Sequence, residues 1–294
     1  MKDPLLKHLN QSPPPVLFHY TSIGVLEKIT ETGQIWASEA RFLNDRTEYL
    51  HARLYIEELL RERIAGDNAL ANLVNEDLKT VDAQVDEHEV FIASFSTDGD
   101  SLPQWRGYCS DGHGVAVGFN PYALRAGGLE IEQDFSPRPD DDPVTDKSLV
   151  KSAYTAKDKE KLIGENLDSY LDMVRGKHPT LGTARAGRIL RSVVEMCSPL
   201  FKHASFKEER EWRLVINCYY DDVPQRHFRA WGSTVVPFIK VDVKTNYSLN
   251  FIKEVVVGPC PSDDLAMRGV TRLLAARGLG RAGVRMSRVP YRAW

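Results

Sequence analysis

A chain of 294 residues, 42% of them hydrophobic, carries enough apolar material for a sizeable core, as one large domain or two small ones. No run is long and apolar enough to span a membrane, and Met1-Lys2-Asp3-Pro4 lacks the apolar core of a secretory signal, so the expected address is the cytoplasm without membrane partners. Net charge is only −3, and the four cysteines (Cys109, Cys197, Cys218, Cys260) are scattered without a C-x-x-C pair, which speaks against a disulfide framework and a zinc knuckle.

Residues 1–15 are polar and end in Ser12-Pro13-Pro14-Pro15, which predicts a stiff extended leader outside the fold. A single domain is expected over 16–294. Val16 to Tyr20 reads as a short apolar strand, after which Thr21 or Ser22 caps a helix whose apolar positions Val25, Leu26 and Ile29 recur until Gly33 ends it. A second strand is expected at Ile35–Ser38, followed by a turn or cap at Asn44-Asp45. From Glu48 to about Asp86 the pattern is helical, amphipathic and acidic on its exposed side, with a break at Gly66-Asp67.

Val90 to Ser96 has the composition of a buried strand that ends in small hydroxyl residues. Pro103 opens a short helix on which Trp105 and Tyr108, three apart, are expected to share a face. Val115–Phe119 is the next strand, and the proline- and acid-rich segment 128–148 predicts an exposed loop or insertion. Helical periodicity returns at about 156–175 and 184–201. Strands are then expected from Trp212, at Val235–Ile239, at Glu254–Gly258 and at Val284–Val289, with a helix over Leu265–Arg277 capped by the residues from Pro261 to Asp264. Strands and helices alternate too irregularly for a doubly wound sheet, so the expected class is α+β with helical insertions.

The stretch Phe206–Ile216 carries the densest chemistry. Glu209 and Glu211 are two apart, so along an extended backbone both side chains leave on one face, where two carboxylates repel unless cations or a ligand's positive charge offset them. Lys207, Arg210 and Arg213 are the neighbouring cations, and a merely solvated charged strand edge is the plain alternative. After Asp264 no acid remains, only seven arginines from Arg268 and Arg272 to Arg292. That tail predicts either an anionic partner such as nucleic acid or a solvated helix face.

Other chemistries fit less well. His19, His113, His203, Asp45 and Glu211 show no local chelating spacing, so no metal is expected. Gly112-His113-Gly114 precedes a strand, the reverse of a dinucleotide-binding loop, and no G-x-S-x-G nucleophile elbow accompanies Ser94 or Ser96.

The ordered set His19-Tyr20-Thr21, Ser94-Phe95-Ser96, Trp105-x-x-Tyr108 and Glu209-x-Glu211 carries a resemblance. The first strand and helix resemble the opening of the ADP-ribosyltransferase superfamily. Over residues 16–292 the chain looks like a bacterial family of unknown function marked by HYTS, LND-x-x-E, W-x-x-Y, HG-x-A-x-GF and E-x-EWR. The superfamily resemblance implies a split β-sheet core and NAD as substrate.

It further implies that His19 holds a ribose hydroxyl of NAD, with the adjoining Tyr20 and Thr21 clamping the nicotinamide amide. Ser94 and Ser96 line the cofactor site, and Tyr108 or Trp105 forms the wall on which nicotinamide stacks. Glu211 supports the oxocarbenium-like ribose as nicotinamide leaves, and Glu209 positions the acceptor. Asn44, Asp45, Arg268 and Arg272 are candidates for contact with substrate or partner. Tyr20 after the histidine, where many histidine-type members have glycine, and the S-F-S strand, similar to the S-T-S of the arginine-type branch, mix features of two branches. The activity implied is a bacterial ADP-ribosyltransferase of the toxin or antiviral-effector kind, with a nucleic-acid or protein acceptor and a protein that restrains it. An NAD glycohydrolase and a non-catalytic nucleotide or nucleic-acid sensor are the alternatives.

Overall fold

The computed structural model describes residues 3–43, 48–83, 88–109, 113–129, 145–176, 183–219, 225–244 and 250–290. In chain order the elements are α1 (Pro4–Leu9), β1 (Leu17–Thr21), α2 (Ile23–Thr32), β2 (Gln34–Glu39), α3 (Glu48–Arg63), α4 (Asn68–Ala83) and β3 (His88–Ser96). Next come α5 (Leu102–Tyr108), β4 (Val115–Phe119), α6 (Pro121–Ala126), β5 (Gly128–Leu129), β6 (Thr145–Lys151), α7 (Ala156–Val174) and α8 (Thr183–Cys197). The chain closes with β7 (Glu211–Tyr219), β8 (His227–Trp231), β9 (Thr234–Asp242), β10 (Ile252–Val257), α9 (Asp263–Ala276) and β11 (Gly283–Met286). The architecture is mixed, with helices around one large sheet whose pairings are antiparallel except for β10 with β11.

Local chemistry accounts for the element ends. Ser22 caps α2 by accepting from the Val25 N–H, and Gly33 ends it in the left-handed region at φ 72°. Gly278, at φ 74°, follows α9 in the same way.

The sheet is organised by β3. Along one edge β3 pairs with β7 over its whole length, from His88 with Tyr219 to Ser96 with Glu211. Along the other edge it serves two strands that diverge: β2 meets it at Ile92 and Phe91, and β1 meets it at Ser96. One arm continues through β1, β4, β10 and β11, the other through β2, β9 and β5, with β8 on β9. Ser94 lies at the fork.

Alternation along the strands builds a separate core on each face. Phe91, Ala93 and Phe95 of β3 join Trp212, Leu214 and Ile216 of β7, Leu17 of β1 and Val117 of β4 in the core enclosed by the two arms, with α2, α6 and α9 completing it. Val90 and Ile92, on the opposite face, join Val215 and Val150 under α3, α4, α7 and α8. Continuing along that second face, the next residues are Ser94 and Ser96 on β3 and Arg213 and Glu211 on β7. The apolar pattern thus gives way to polar groups at one end of the strand pair.

Three expectations change. The leader is not extended throughout: Asp3 caps α1, and Leu5, only 1% exposed, packs into the helical core. A proline at the first helical position starts a helix as readily as it stiffens a coil. The segment 128–148 ends in strand β6, which pairs with β7 from Thr145 onward, and its residues 130–144 lie outside the described ones. Between β7 and β9, β8 forms an additional strand that the sequence pattern did not signal.

Because Leu5 fills the helical core, Leu5→Ala should destabilise the chain by about 2–5 kcal/mol in chemical denaturation. A leader that only decorates the surface would give a change near zero.

Candidate functional site

The polar end of the β3–β7 pair forms a cleft lined by Phe18, His19, Tyr20, Ser94, Phe95, Ser96, Gln104, Tyr108, Glu209 and Glu211. Ser94 has no strand residue opposite it on the forked edge, and its carbonyl accepts a hydrogen bond from His19 Nδ1–H at 3.0 Å. An imidazole therefore completes the backbone pairing that the fork interrupts. Burial, with a smaller contribution from the Arg229 charge, lowers the His19 pKa and keeps the ring neutral. With Nδ1 protonated, Nε2 carries the lone pair and can accept a ligand hydroxyl.

Glu211 stands at the start of β7, opposite Ser96. Its Oε2 lies 2.7 Å from Lys202 Nζ and 3.1 Å from Arg213 Nη2, and the Ser94 hydroxyl also hydrogen-bonds the carboxylate. Lys202 also bridges to Glu209, whose other oxygen accepts from the Tyr108 hydroxyl at 3.1 Å. Glu211 is 3% exposed, Lys202 5% and Arg213 1%. Two acidic and two basic side chains thus form a compact, desolvated cluster. Burial pushes the Glu211 carboxyl up, and although Lys202 pulls it down, the balance stays above the ordinary glutamate value. Burial alone would lower the Lys202 ammonium, but Glu211 and Glu209 outweigh it and hold it above its ordinary value.

The two glutamates do not reach one another by the extended-strand spacing expected from the sequence. Glu209 ends a 3₁₀ turn over Ala204–Glu209, and Arg210 takes a left-handed conformation, φ 46° and ψ 47°, before the strand begins. For a non-glycine residue that conformation costs about 1–2 kcal/mol. It is held by the Thr97 N–H to the Arg210 carbonyl, 3.2 Å, and the Ser96 hydroxyl to the Glu209 carbonyl, 2.7 Å. The reversal at Arg210 turns Glu209 back so that Lys202 can span both acids.

Tyr20 is fixed rather than free, donating to the Asp98 carbonyl at 2.8 Å and accepting from the Ser101 N–H at 2.9 Å. This turn packs tightly on β1, because a Cβ at Gly99 would come within 2.5 Å of the Phe18 ring. Trp105 and Tyr108 do not share a face. Trp105 is fully buried against Tyr20, edge-on at 4.7 Å, with its indole N–H on Asp100, whereas Tyr108 lines the cleft at 39% exposure. Trp105 is therefore a core residue and Tyr108 is the aromatic available to a ligand. The Thr21 carbonyl accepts from Cys109 Sγ, so its backbone supports α5. Asn44 and Asp45 lie outside the described residues. Arg268 and Arg272 sit on α9, away from the residues lining the cleft.

Two contributors escaped the sequence reading. Lys202 follows an apolar Leu200-Phe201 pair, and its one signal was a lysine in a run otherwise buried. Tyr154 accepts the Glu211 N–H at 2.8 Å and carried no signal in the sequence.

The cleft encloses about 60 Å³, against the ~300–1,000 Å³ typical of sites for drug-sized ligands. Beside it, past Asp98 and Ser101, lies an open hollow of about 440 Å³ flanked by Lys207, Arg210 and Glu208. The arrangement suits a ligand that inserts one small ring and leaves its remainder outside. No group of residues that could hold a metal ion occurs among the described residues. Nor is any described helix long and apolar enough to cross a membrane.

Residues 104–214 match the model of a family described as a protein of unknown function (DUF2971). The matched span contains the W-x-x-Y, HG-x-A-x-GF and E-x-EWR segments and leaves out HYTS and LND-x-x-E. No curated protein and no solved structure matches the chain.

Lys202→Met removes one of the cluster's two cations and should cost about 3–5 kcal/mol at neutral pH. With the partner gone, the Glu211 carboxyl in the folded state holds its proton more tightly than in the unfolded chain. The lost stability should therefore return as pH falls toward and below the ordinary glutamate range of about 4.5. Denaturation of Lys202→Met across pH, with Glu209→Gln/Glu211→Gln added as the carboxylate-free control, reads this directly. A deficit that does not change with pH would mean that Lys202 acts by packing alone.

Proposed function

We propose that the cleft binds the nicotinamide end of NAD and that the chain is an ADP-ribosyltransferase-like enzyme. The observation that carries the reading is the convergence of His19, Tyr108, Glu209 and Glu211 on one cleft at the fork of the sheet. In this reading nicotinamide enters beside Tyr108, and His19 Nε2 accepts a ribose hydroxyl. The diphosphate lies in the outer hollow near Lys207 and Arg210, where it competes with Asp98, the present partner of Arg210, and with Glu208.

The C1′–N bond breaks with its electron pair passing to nicotinamide, which leaves neutral. The oxocarbenium character that develops at C1′ is met by the Glu211 carboxylate. Burial on its own would favour protonation of Glu211, and a protonated acid would offer no charge to the sugar. Lys202 and Arg213, both in contact with the carboxylate, favour its ionised form against that burial. Glu209, hinged by Arg210 at the mouth of the cleft, is placed to position an incoming nucleophile and accept its proton. ADP-ribose passes to that acceptor, or to water in the glycohydrolase variant of the same chemistry.

One observation favours the non-catalytic alternative. Lys202 engages both glutamates at once, and a carboxylate already neutralised attracts a cationic sugar less strongly. In that alternative the cluster fastens β7 to the segment after α8, and the cleft only senses a nucleotide.

Nicotinamide release from NAD separates the two. Glu211→Gln preserves shape and removes charge, so turnover by a folded variant should fall by at least about a hundredfold, equivalent to ~3 kcal/mol or more of transition-state stabilisation. Wild-type protein that binds NAD without releasing nicotinamide, with water or an offered acceptor, would establish the sensor reading instead.

A further inference from the structure

On the second arm of the sheet, cross-strand partners place one row of side chains on a single face of β2, β9 and β8. Trp36 lies opposite Lys240, Ser38 opposite Phe238, Phe238 opposite His227, Val236 opposite Arg229 and Thr234 opposite Trp231. The rings are already stacked on one another: Trp36 on Phe238 at 4.2 Å and 24°, and His227 on Phe238 at 5.4 Å and 29°. The Arg229 guanidinium covers the Trp231 ring at 5.3 Å. Phe238 in the middle is buried, yet Trp36 and Trp231 at the ends are each 48% exposed. Two indoles left half in water cost hydrophobic free energy that a stacking ligand would recover.

The charges along this row point to the same kind of ligand. Arg229 donates from Nη2 to the Ser38 hydroxyl at 3.0 Å, makes no ion pair with a carboxylate among the described residues, and has a buried Nε without a partner there. Burial lowers its pKa, the mark of a cation that lacks compensation, and its field reaches His19 in the cleft. Lys240, which has an interaction of its own, places an ammonium beside Trp36. Asp242, at the far end of the row, accepts from the Lys244 N–H at 2.9 Å. Exposed planar rings alternate here with guanidinium and ammonium groups along a β-surface.

We infer that this face is a binding platform for single-stranded nucleic acid, with bases stacking on Trp36 and Trp231 and phosphates meeting Arg229 and Lys240. Stacking on aromatic side chains with cations along the backbone is the physics by which proteins hold single strands without reading sequence. A protein partner could also cover exposed tryptophans, but it would not by itself require a guanidinium with an unfilled donor beside one of the rings. A duplex, whose bases are stacked internally, leaves the indoles nothing to stack on. The platform is distinct from the arginine-rich tail, whose cations are in part already engaged: Arg285 with Glu254 and Asp100, and Arg277 with Glu31. It also stands apart from the NAD reading, since none of its rings lines the cleft.

The test is fluorescence anisotropy of the full-length chain with labelled 12-nucleotide uridine and thymidine oligomers and with a duplex of equal length, over a salt series. Single strands should bind more tightly than duplex, and intrinsic tryptophan emission should be quenched on binding. Trp36→Ala and Trp231→Ala should each weaken binding by roughly 5- to 100-fold, and Trp36→Phe should restore most of the loss. Arg229→Met should lower the slope of log affinity against log salt by about one.

Arg268→Glu/Arg272→Glu and Glu211→Gln should leave binding unchanged. Trp36 and Trp231 are surface residues, so their variants stay folded, which thermal unfolding checks independently. Absence of binding at low salt overturns the inference. So does binding that is insensitive to both tryptophan variants, equally strong for duplex, or abolished by the Arg268/Arg272 pair, the last of which would move the site to the tail.

Discussion

One strand serves two neighbours that part company, and the chemistry of this molecule collects where they do. On the edge of β3, Ile92 still belongs to β2 and Ser96 already belongs to β1, so Ser94 is left between them with its carbonyl unpaired by any strand. A buried carbonyl without a donor costs about 1–3 kcal/mol. His19 supplies the donor, and by doing so fixes its own tautomer and leaves Nε2 as an acceptor. A backbone defect and a candidate ligand contact are therefore the same interaction. Any change that let β1 pair further along β3 would satisfy Ser94 and close the cleft.

The second consequence of the fork is electrostatic. Since the helical layer ends at Ile92 and Val215, the strand pair beyond them needs other partners on that face, and Lys202, Arg213, Glu209 and Glu211 take the place of a hydrophobic layer. Well-packed apolar residues would hold this position at least as firmly, because desolvating charges offsets most of their attraction. Retaining four ionisable groups there is intelligible if the carboxylates have work to do at the cleft. Lys202 offsets part of the burial that raises the Glu211 pKa and favours a proton on it.

Much of the fold was legible because its signals are local. Ser22 and Gly33 delimit α2, Gly66 separates α3 from α4, and the run from Val90 to Ser96 has the composition of a buried strand. What escaped depends on distant partners. Pro4–Leu9 becomes helical in the company of the helical core that receives Leu5, and β6 and β8 are strands because β7 and β9 present edges to them. Within the site, the E-x-E pair was visible but its geometry was not. Nothing in the residue types announces that Arg210 turns left-handed, or that the cation joining both acids, beside the expected Arg213, is Lys202 instead of the nearer Lys207 and exposed Arg210. Sequence proximity is a poor guide to ion pairing where a chain reverses direction.

The same distinction bears on the two basic regions. By composition the acid-free tail is the more conspicuous, yet Arg285 and Arg277 find carboxylates on neighbouring elements and the main chain of Arg288 donates to Asp100. Arg229 follows Arg226 and His227 in the sequence, and the fold leaves it beside a tryptophan with a buried donor unfilled among the described residues. Arginines that pair with acids, as Arg277 and Arg285 do, present a weaker field to a polyanion than their number suggests, because each internal pair cancels most of its charge beyond a Debye length of about 8 Å. Arg229 makes no such pair among the described residues. Its field also reaches His19, so an anion that neutralised Arg229 would remove part of what depresses the imidazole pKa. Occupancy of the aromatic row and the protonation of the cleft histidine are in this way coupled through one guanidinium, across the same fork that separates the two arms of the sheet.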